Sequence, residues 1–264
     1  MAAGAMWQLS EALAAERWAL DTAQLSVSMI IPALNEEKCI GECVRHLRSL
    51  FPAPLEVIVV DGGSTDGTVR AARKAGARVL RGPRGRARQM NAGAAVARSG
   101  ALCFVHADST PPASAVACVR AALADGRVVL GGFRTVIADQ GRRLRLMTAH
   151  QLVKTWYLVA LFRPLSLLRG GRIMFGDQTL FCRAADFARS GGFDPALRIM
   201  EDADLGRVRM VLHPPALTSG RRLAAWGNPW ATYVHVAIGL SWYLGASPQQ
   251  LEDLYERLYT DRFR

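Results

Sequence analysis

Several signatures are missing from this sequence, and each absence narrows the reading. The five cysteines, Cys39, Cys43, Cys103, Cys118 and Cys182, include no CxxC pair. Most sit in apolar runs, where a thiol behaves as a small hydrophobe, so a reduced, intracellular setting is expected. Cys39 and Cys43 lie one helical turn apart, but with no second pair in the chain, core packing is expected over metal ligation. The first residues carry Glu11, Glu16 and Asp21 among alanines and lack the basic start and apolar run of an export signal. Residues 1–24 are therefore read as a short helical extension. No stretch reaches the roughly 20 clean apolar residues of a spanning helix. The run from Leu152 to Leu168 is broken by Lys154, Arg163 and Pro164, and the run from Trp230 to Ala246 surrounds His235. Internal repeats, low-complexity linkers and interleaved aromatic and basic residues of the base-stacking kind are also absent.

What is present is enough for one sizeable core. The chain has 264 residues, 50% of them hydrophobic, which suits one main domain. Its 33 basic and 22 acidic residues give a net charge of +11. Such a balance favours an anionic partner, whether nucleic acid, a phosphorylated small molecule or an acidic lipid surface, and charge alone does not choose among them.

The first half repeats one theme: a short apolar run, a polar turn, then an Ala- and Arg-rich helical stretch. Val27 to Ile31, Leu55 to Val60, Arg78 to Leu80 and Ala101 to Val105 read as strands. Between them, helices are expected from Asn35–Glu37 towards Leu50, after the Gly62 to Asp66 turn as far as Gly76, and from Arg86 to Ala97. This is the pattern of βαβ units on a parallel sheet. Near Leu144 the regular alternation stops.

In open parallel sheets, ligands bind beyond the carboxyl ends of the strands, where loops and helix N-termini converge. Three strands here end in polar clusters, at Asn35 and Glu36, at Asp61 to Asp66, and at His106 to Asp108. Arg84, Gly85, Arg86 and Arg88 open the helix after the third strand and bring cations and free N–H groups to the same edge. Carboxylates and arginines on one rim suit a phosphate ligand held with a divalent cation.

At this point the residues resemble the inverting family 2 glycosyltransferases. SMIIPALNEE (Ser28 to Glu37) and VIVVDGGSTDGT (Val57 to Thr68) resemble that family's two nucleotide-binding segments, and HADS (His106 to Ser109) stands where its DxD motif stands. GDQ (Gly176 to Gln178) and MEDADLGRV (Met200 to Val208) resemble its acceptor-side and catalytic-base segments. GRARQMNAGA (Gly85 to Ala94), together with HADS, is similar to a bacterial subgroup associated with radical-SAM and selenium proteins. Each motif alone is weak, and their order along the chain carries the resemblance.

The resemblance implies a GT-A fold: an α/β, Rossmann-like, mostly parallel sheet flanked by helices, in a single domain with a helical C-terminal segment. It implies transfer of a sugar from a nucleoside-diphosphate sugar to an acceptor hydroxyl. Pro32, Ala33, Asn35, Glu36, Asp61 and Ala107 would line the donor pocket, and Arg86 would face the diphosphate. Asp61 also fits a plain turn or helix-capping role. A divalent cation, Mn²⁺ or Mg²⁺, would steady the departing diphosphate. Asp108 is its expected ligand. His106 replaces the family's usual first aspartate and, as a softer ligand, suits Mn²⁺ better; a site role and simple packing at a strand end both stay open for it. Asp202 would be the general base with Glu201 as its partner, although acids at a helix start also serve as dipole-complementing caps. Asp177 and Gln178 would line the acceptor side.

The expected organisation is an extension over 1–24, the catalytic domain over 25–225 and an aromatic-rich helical segment over 226–264. Trp226, Trp230, Tyr233, Trp242 and Tyr243 suit either a helix lying on a membrane or one buried against the domain. The corresponding expectation is a cytoplasmic protein, free or at the cytoplasmic face of a membrane with a lipid-linked acceptor, and no nucleic-acid partner. Two other classes compete. A nucleotidyltransferase that makes nucleotide-sugars would carry a glycine-rich basic loop where Pro32, Ala33, Leu34 and Asn35 stand. A non-catalytic anion- or nucleic-acid-binding module would concentrate basic residues that are here dispersed among helices.

Overall fold

The computed structural model describes residues 24–126, 128–139, 142–143, 148–149, 179–194, 208–219 and 228–260. Strand β1 (Val27–Ala33) leads to helix α1 (Glu37–Arg48), β2 (Glu56–Asp61) to α2 (Thr68–Lys74), and β3 (Arg78–Arg81) to α3 (Arg86–Val96). Strands β4 (Ala101–Phe104) and β5 (Ser109–Thr110) precede α4 (Ala115–Leu123). Then come β6 (Leu130–Asp139), β7 (Arg142–Arg143), β8 (Leu180–Arg183), α5 (Ala184–Arg189), β9 (Val208–Ser219), α6 (Asn228–Tyr243) and α7 (Pro248–Thr260).

The nine strands among the described residues belong to one sheet, ordered β3-β2-β1-β4-β8-β6-β9-β5 with β7 beside β6. Its first half is wholly parallel, with Ile30 opposite both Ile58 and Phe104 and Val60 opposite Leu80. Beyond β4 the pairing is mixed: β8 runs antiparallel to β4 and β6, whereas β9 runs parallel to β6. The α/β class and the parallel first half of the sheet expected from the sequence are therefore present.

The three inner strands of the parallel half, β2, β1 and β4, are covered on both faces and are near-continuous apolar runs, whereas the edge strand β3 keeps Arg78 and Arg81 exposed. Successive residues alternate between two clusters. Met29, Ile31, Val57, Val59 and Cys103 pack on one side with Ile40, Val44 and Leu47 of α1 and Val116 and Val119 of α4. Ile30, Ile58, Val60, Leu102 and Phe104 pack on the other with Ala87 and Met90 of α3 and Phe187 of α5. Gly93 lets α3 approach closely, since a Cβ there would lie 2.5 Å from Ile30 Cγ2 and 3.1 Å from Val60 Cγ2. Phe104, Phe187 and Phe193 form a triad of rings with centroids 5.0 to 5.2 Å apart, closing the sheet where β8 joins. Helices α6 and α7 bury a small cluster of their own, Val234, Ile238 and Leu251.

At the amino edge of the sheet, Glu56 gathers the polar groups that open β1 and β2. It accepts hydrogen bonds from the Ser28 hydroxyl at 3.0 Å, the Arg98 backbone N–H at 2.8 Å and Arg78 Nη1 at 3.2 Å, with Arg98 Nη2 at 3.4 Å. Burial to 6% side-chain exposure pushes the carboxyl up. The donated hydrogen bonds and the Arg98 charge outweigh that push, so the group titrates below its ordinary 4.5. A lowered folded-state value means the stabilisation is complete above the ordinary value and is lost as pH falls through the folded one. Urea midpoints measured from about pH 6 to about pH 3 should therefore fall on the acid side in the parent and fall less steeply in Glu56→Gln. Identical acid slopes in the two proteins would contradict this.

Candidate functional site

Strand order turns back at β1: β2 and β3 lie to one side and β4 to the other. A crevice opens at such a switch point, beyond the carboxyl ends of the strands. The loop after β1, the turn after β2, the loop after β4 and the first turn of α3 all lie on this edge.

Asn35 adopts a left-handed backbone, φ 56°, which asparagine tolerates better than most residues. That turn brings the β1–α1 loop against the β2–α2 turn, and the two are laced together. The Asn35 N–H donates to Ser64 Oγ at 2.9 Å, and Asn35 Oδ1 accepts the Thr65 N–H at 2.9 Å. The Glu36 N–H donates to Thr68 Oγ1 at 2.8 Å and the Glu37 N–H to Asp66 Oδ2 at 3.2 Å. Asp66 also accepts a hydrogen bond from the Thr68 hydroxyl, which with its backbone N–H partners holds its carboxyl below the usual value.

Asp61 ends β2 and is 1% exposed. Its carboxylate accepts the N–H groups of Gly63 at 3.2 Å and Ser64 at 3.1 Å, a local Asp turn. Gly63 has φ 96° at the bend. The Gly62 N–H reaches back to the Ala33 carbonyl at 2.9 Å, so the ends of β1 and β2 are tied through this turn. Asp61 is thus a turn residue by its contacts, with lone pairs to spare for a ligand at its edge.

The His106 to Ser109 loop is braced from two sides. Cys43 lies beneath it, its thiol directed at the His106 and Ser109 carbonyls at 3.6 and 3.7 Å. The Ser109 hydroxyl meets Thr218 Oγ1 at 3.0 Å where β5 pairs with β9. Ala107 is buried, and His106 and Asp108 are half-buried. Burial, followed by the nearby Cys39, Asp108 and Glu42, pushes the Cys43 thiol up to about 12. It is a neutral packing group, as the sequence suggested. Cys39 is half-buried, and its thiol donates to Glu36 Oε2 at 3.1 Å. Among the described residues no three His, Cys, Asp or Glu side chains converge as a ligand set.

Arg86 is half-buried at the start of α3, whereas Arg84 and Arg88 are exposed. Gly85, φ 125°, sets the entry to that helix. Asp177, Gln178, Glu201 and Asp202 lie outside the described residues.

Two residues here carry no site role on the sequence alone, although Gln89 lies within the GRARQMNAGA segment. Gln89 of α3 is buried, and its amide donates to the Ala33 and Val60 carbonyls at 2.8 and 2.7 Å. Thr179, directly after Gln178, combines φ 49° with a buried hydroxyl that has no partner among the described residues. A β-branched residue in that conformation marks stored strain of the kind found at functional sites.

The sequence profile of Glycosyl transferase family 2 matches residues 28–187, from β1 through most of α5. The chain belongs to glycosyl transferase family 2. Among curated proteins, this family 2 chain is 49% identical over 55 residues to the 4,4'-diaponeurosporenoate glycosyltransferase of Staphylococcus aureus, covering 21% of the chain and 14% of that protein. It is 45% identical over 56 residues to the glucosyl-3-phosphoglycerate synthase of Mycolicibacterium smegmatis, covering 21% and 18%. The chain thus matches less than a fifth of the length of either relative. Among solved structures it is similar to glucosyl-3-phosphoglycerate synthase of Mycobacterium tuberculosis, with a TM-score of 0.55 and 18% identity over 88% of this chain and 85% of that one. It also resembles S. aureus TarS, with a TM-score of 0.54 and 16% identity over 90% and 71%. At these identities the likeness is one of fold.

Asn35→Ala removes the side-chain acceptor for Thr65 and leaves a residue that disfavours positive φ. It should cost about 1–3 kcal/mol in urea unfolding and speed amide exchange at Thr65. A loss below about 0.5 kcal/mol would show that the two loops are held by other means.

Proposed function

We propose that this chain transfers a sugar from a nucleoside-diphosphate sugar to an acceptor hydroxyl, with inversion at the anomeric carbon. The observation that carries this reading is the convergence, in a family 2 chain, of the Asn35–Glu36 loop, the Asp61 turn, the His106–Asp108 loop and Arg86 on one sheet edge at the β1/β4 switch point. Pro32, Ala33, Asn35, Glu36, Asp61 and Ala107 form the wall against which the nucleoside lies. Arg86, at the positive end of α3, faces the diphosphate.

A divalent cation fits this edge. The half-buried Asp108 offers a hard oxygen donor on a braced loop, and His106 beside it offers a nitrogen. One or two protein ligands suffice for a cation held mainly by phosphate oxygens and water, and when bound it neutralises charge on the departing diphosphate. Solved structures of the M. tuberculosis synthase hold Mn²⁺ or Mg²⁺ with UDP, which supports the same cation class here.

In the reaction, the bond from the anomeric carbon to the diphosphate oxygen breaks and its electron pair leaves with the nucleoside diphosphate. The acceptor oxygen bonds to that carbon from the opposite face, and its proton passes to the Asp202 carboxylate. Glu201 tunes that base, and Asp177 and Gln178 bind the acceptor. We assign the chain to the subgroup associated with radical-SAM and selenium proteins on GRARQMNAGA and HADS, and we divide it into a catalytic domain over 25–225 and an accessory segment over 226–264.

The accessory segment supports work at the cytoplasmic face of a membrane on a lipid-linked acceptor. Along α6 and just beyond it, Tyr233, Val236, Leu240 and Leu244 are 53%, 39%, 43% and 74% exposed and share one helical face. No helix among the described residues is long and apolar enough to cross a membrane. A net charge of +11 favours an anionic leaflet.

Release of nucleoside diphosphate from UDP-, GDP- and dTDP-sugars with Mn²⁺ tests the activity. Asp202→Asn should slow transfer roughly a hundredfold to ten-thousandfold and leave donor affinity nearly unchanged. A matching loss of donor affinity would remove Asp202 from the role of base. Co-sedimentation with phosphatidylserine vesicles at low salt, weakened by Leu240→Glu, is expected for the membrane reading; failure of the parent protein to sediment would contradict it.

A further inference from the structure

We propose that Gln89 is a positioning residue for donor binding: its side-chain amide locks the first turns of α3 to the ends of β1 and β2, and so sets Arg86 against the nucleoside wall. The inference rests on the donor-site reading above and assigns a role to a residue that the reading does not use.

Gln89 is 4% exposed, on a helix otherwise rich in small apolar residues. Its single amide nitrogen spends both of its hydrogens on main-chain carbonyls of adjacent strands, Ala33 O at 2.8 Å and Val60 O at 2.7 Å. In the β1–β2 register Ala33 faces Asp61 and Pro32 faces Val60, so the two acceptors belong to the last rungs before the site. The amide also lies directly under the turn that Asp61 organises. A Cβ on Gly62 would meet Gln89 Cδ and Nε2 at 3.0 Å and Oε1 at 3.1 Å. Glycine at position 62 is therefore what allows the amide its place.

A hydrophobic side chain of the same volume would pack at this position in a helix against a sheet. Burying an amide there instead requires both partners in place, and it fixes direction and distance in a way apolar packing does not. Arg86 lies three residues earlier, on the neighbouring turn of the same helix face, so its backbone moves with Gln89. Loosening the amide lets the start of α3 shift against Ala33 and Asp61. A shift on the order of 1 Å is large for groups that must meet one ligand together.

Asn91 provides the internal comparison. It also makes a two-bond side-chain clamp from α3, donating to Phe193 O at 2.7 Å and accepting the Phe193 N–H at 3.0 Å, but it faces the loop after α5 and not the strand ends. The experiment measures calorimetric affinity for UDP-glucose with Mn²⁺, alongside melting temperature, in the parent, Gln89→Met, Gln89→Asn and Asn91→Leu. Gln89→Asn keeps the amide but is one methylene too short to span both carbonyls, and it serves if the methionine variant does not fold. Both Gln89 variants should bind roughly tenfold or more weakly than the parent, and Asn91→Leu, with a comparable drop in melting temperature, should stay within about twofold. Parent-like affinity in the Gln89 variants, or an equal loss in Asn91→Leu, would reduce Gln89 to a stabilising residue and overturn the inference. Failure of the parent itself to bind UDP-, GDP- or dTDP-glucose, each titrated with and without Mn²⁺, would instead overturn the donor-site reading beneath it. Where the parent prefers one of the other two donors, the variants are compared on that donor.

Discussion

The position of β1 is the constraint on which the rest of the structure depends. It is the central strand of the parallel half, hydrogen-bonded to β2 on one side and β4 on the other, and it is buried on both faces. Such a strand holds only if helices cover both sides, and that requirement places α1 and α4 on one face and α3 on the other. Because β4 returns to the far side of β1, the loops that leave β1 and β4 diverge around a crevice. The chemistry of the chain collects there for a topological reason before any particular residue is considered.

Once the crevice exists, its lips must be held, since loops alone would not keep charged groups in register. Here the holding is done by groups that have no part in the proposed chemistry. Ser64, Thr65, Asp66 and Thr68 lace one loop to the other. The Cys43 thiol and the Ser109–Thr218 contact support the loop that carries Asp108. Gln89 ties the cationic helix start to the strand ends. Left-handed backbone at Asn35 and Thr179 appears at the same edge or at the entry to β8, and elsewhere among the described residues positive φ is confined to glycine. Non-glycine positive φ and a dense set of side-chain-to-backbone hydrogen bonds thus occur at the edge where ligand-binding geometry is needed.

Much of this was legible in the sequence, for physical reasons. The four parallel strands are short apolar runs closed by polar turns, and their limits in the structure differ from those read by pattern by no more than a couple of residues, with Val27 to Ile31 extending to Ala33 and Ala101 to Val105 ending at Phe104. Three polar clusters on one edge followed from the parallel arrangement alone. The mixed half was not legible: β5, β6, β8 and β9 pair across long separations, and a contact such as Ser109 with Thr218 leaves no local periodicity. Asp61 looked like either a ligand residue or a turn residue, and its hydrogen bonds to Gly63 and Ser64 establish the second while leaving room for the first. Gln89 lay within the GRARQMNAGA segment, but its role was not legible, since a glutamine on an Ala- and Arg-rich helix looks like a solvated side chain until the sheet is placed beneath it. Glu201 and Asp202, assigned by motif resemblance, fall outside the described residues.

On the proposed reading, this edge binds a nucleoside-diphosphate sugar together with a divalent cation. The most direct test is calorimetric titration of UDP-, GDP- and dTDP-sugars into the protein with Mn²⁺, with Mg²⁺ and with chelator, using Asp108→Ala as the reference. Saturable binding of one nucleotide class that requires the cation and is lost in Asp108→Ala is expected; binding of equal strength with chelator and in Asp108→Ala, or no binding of any of the three, would show that this edge is not a cation-dependent donor site.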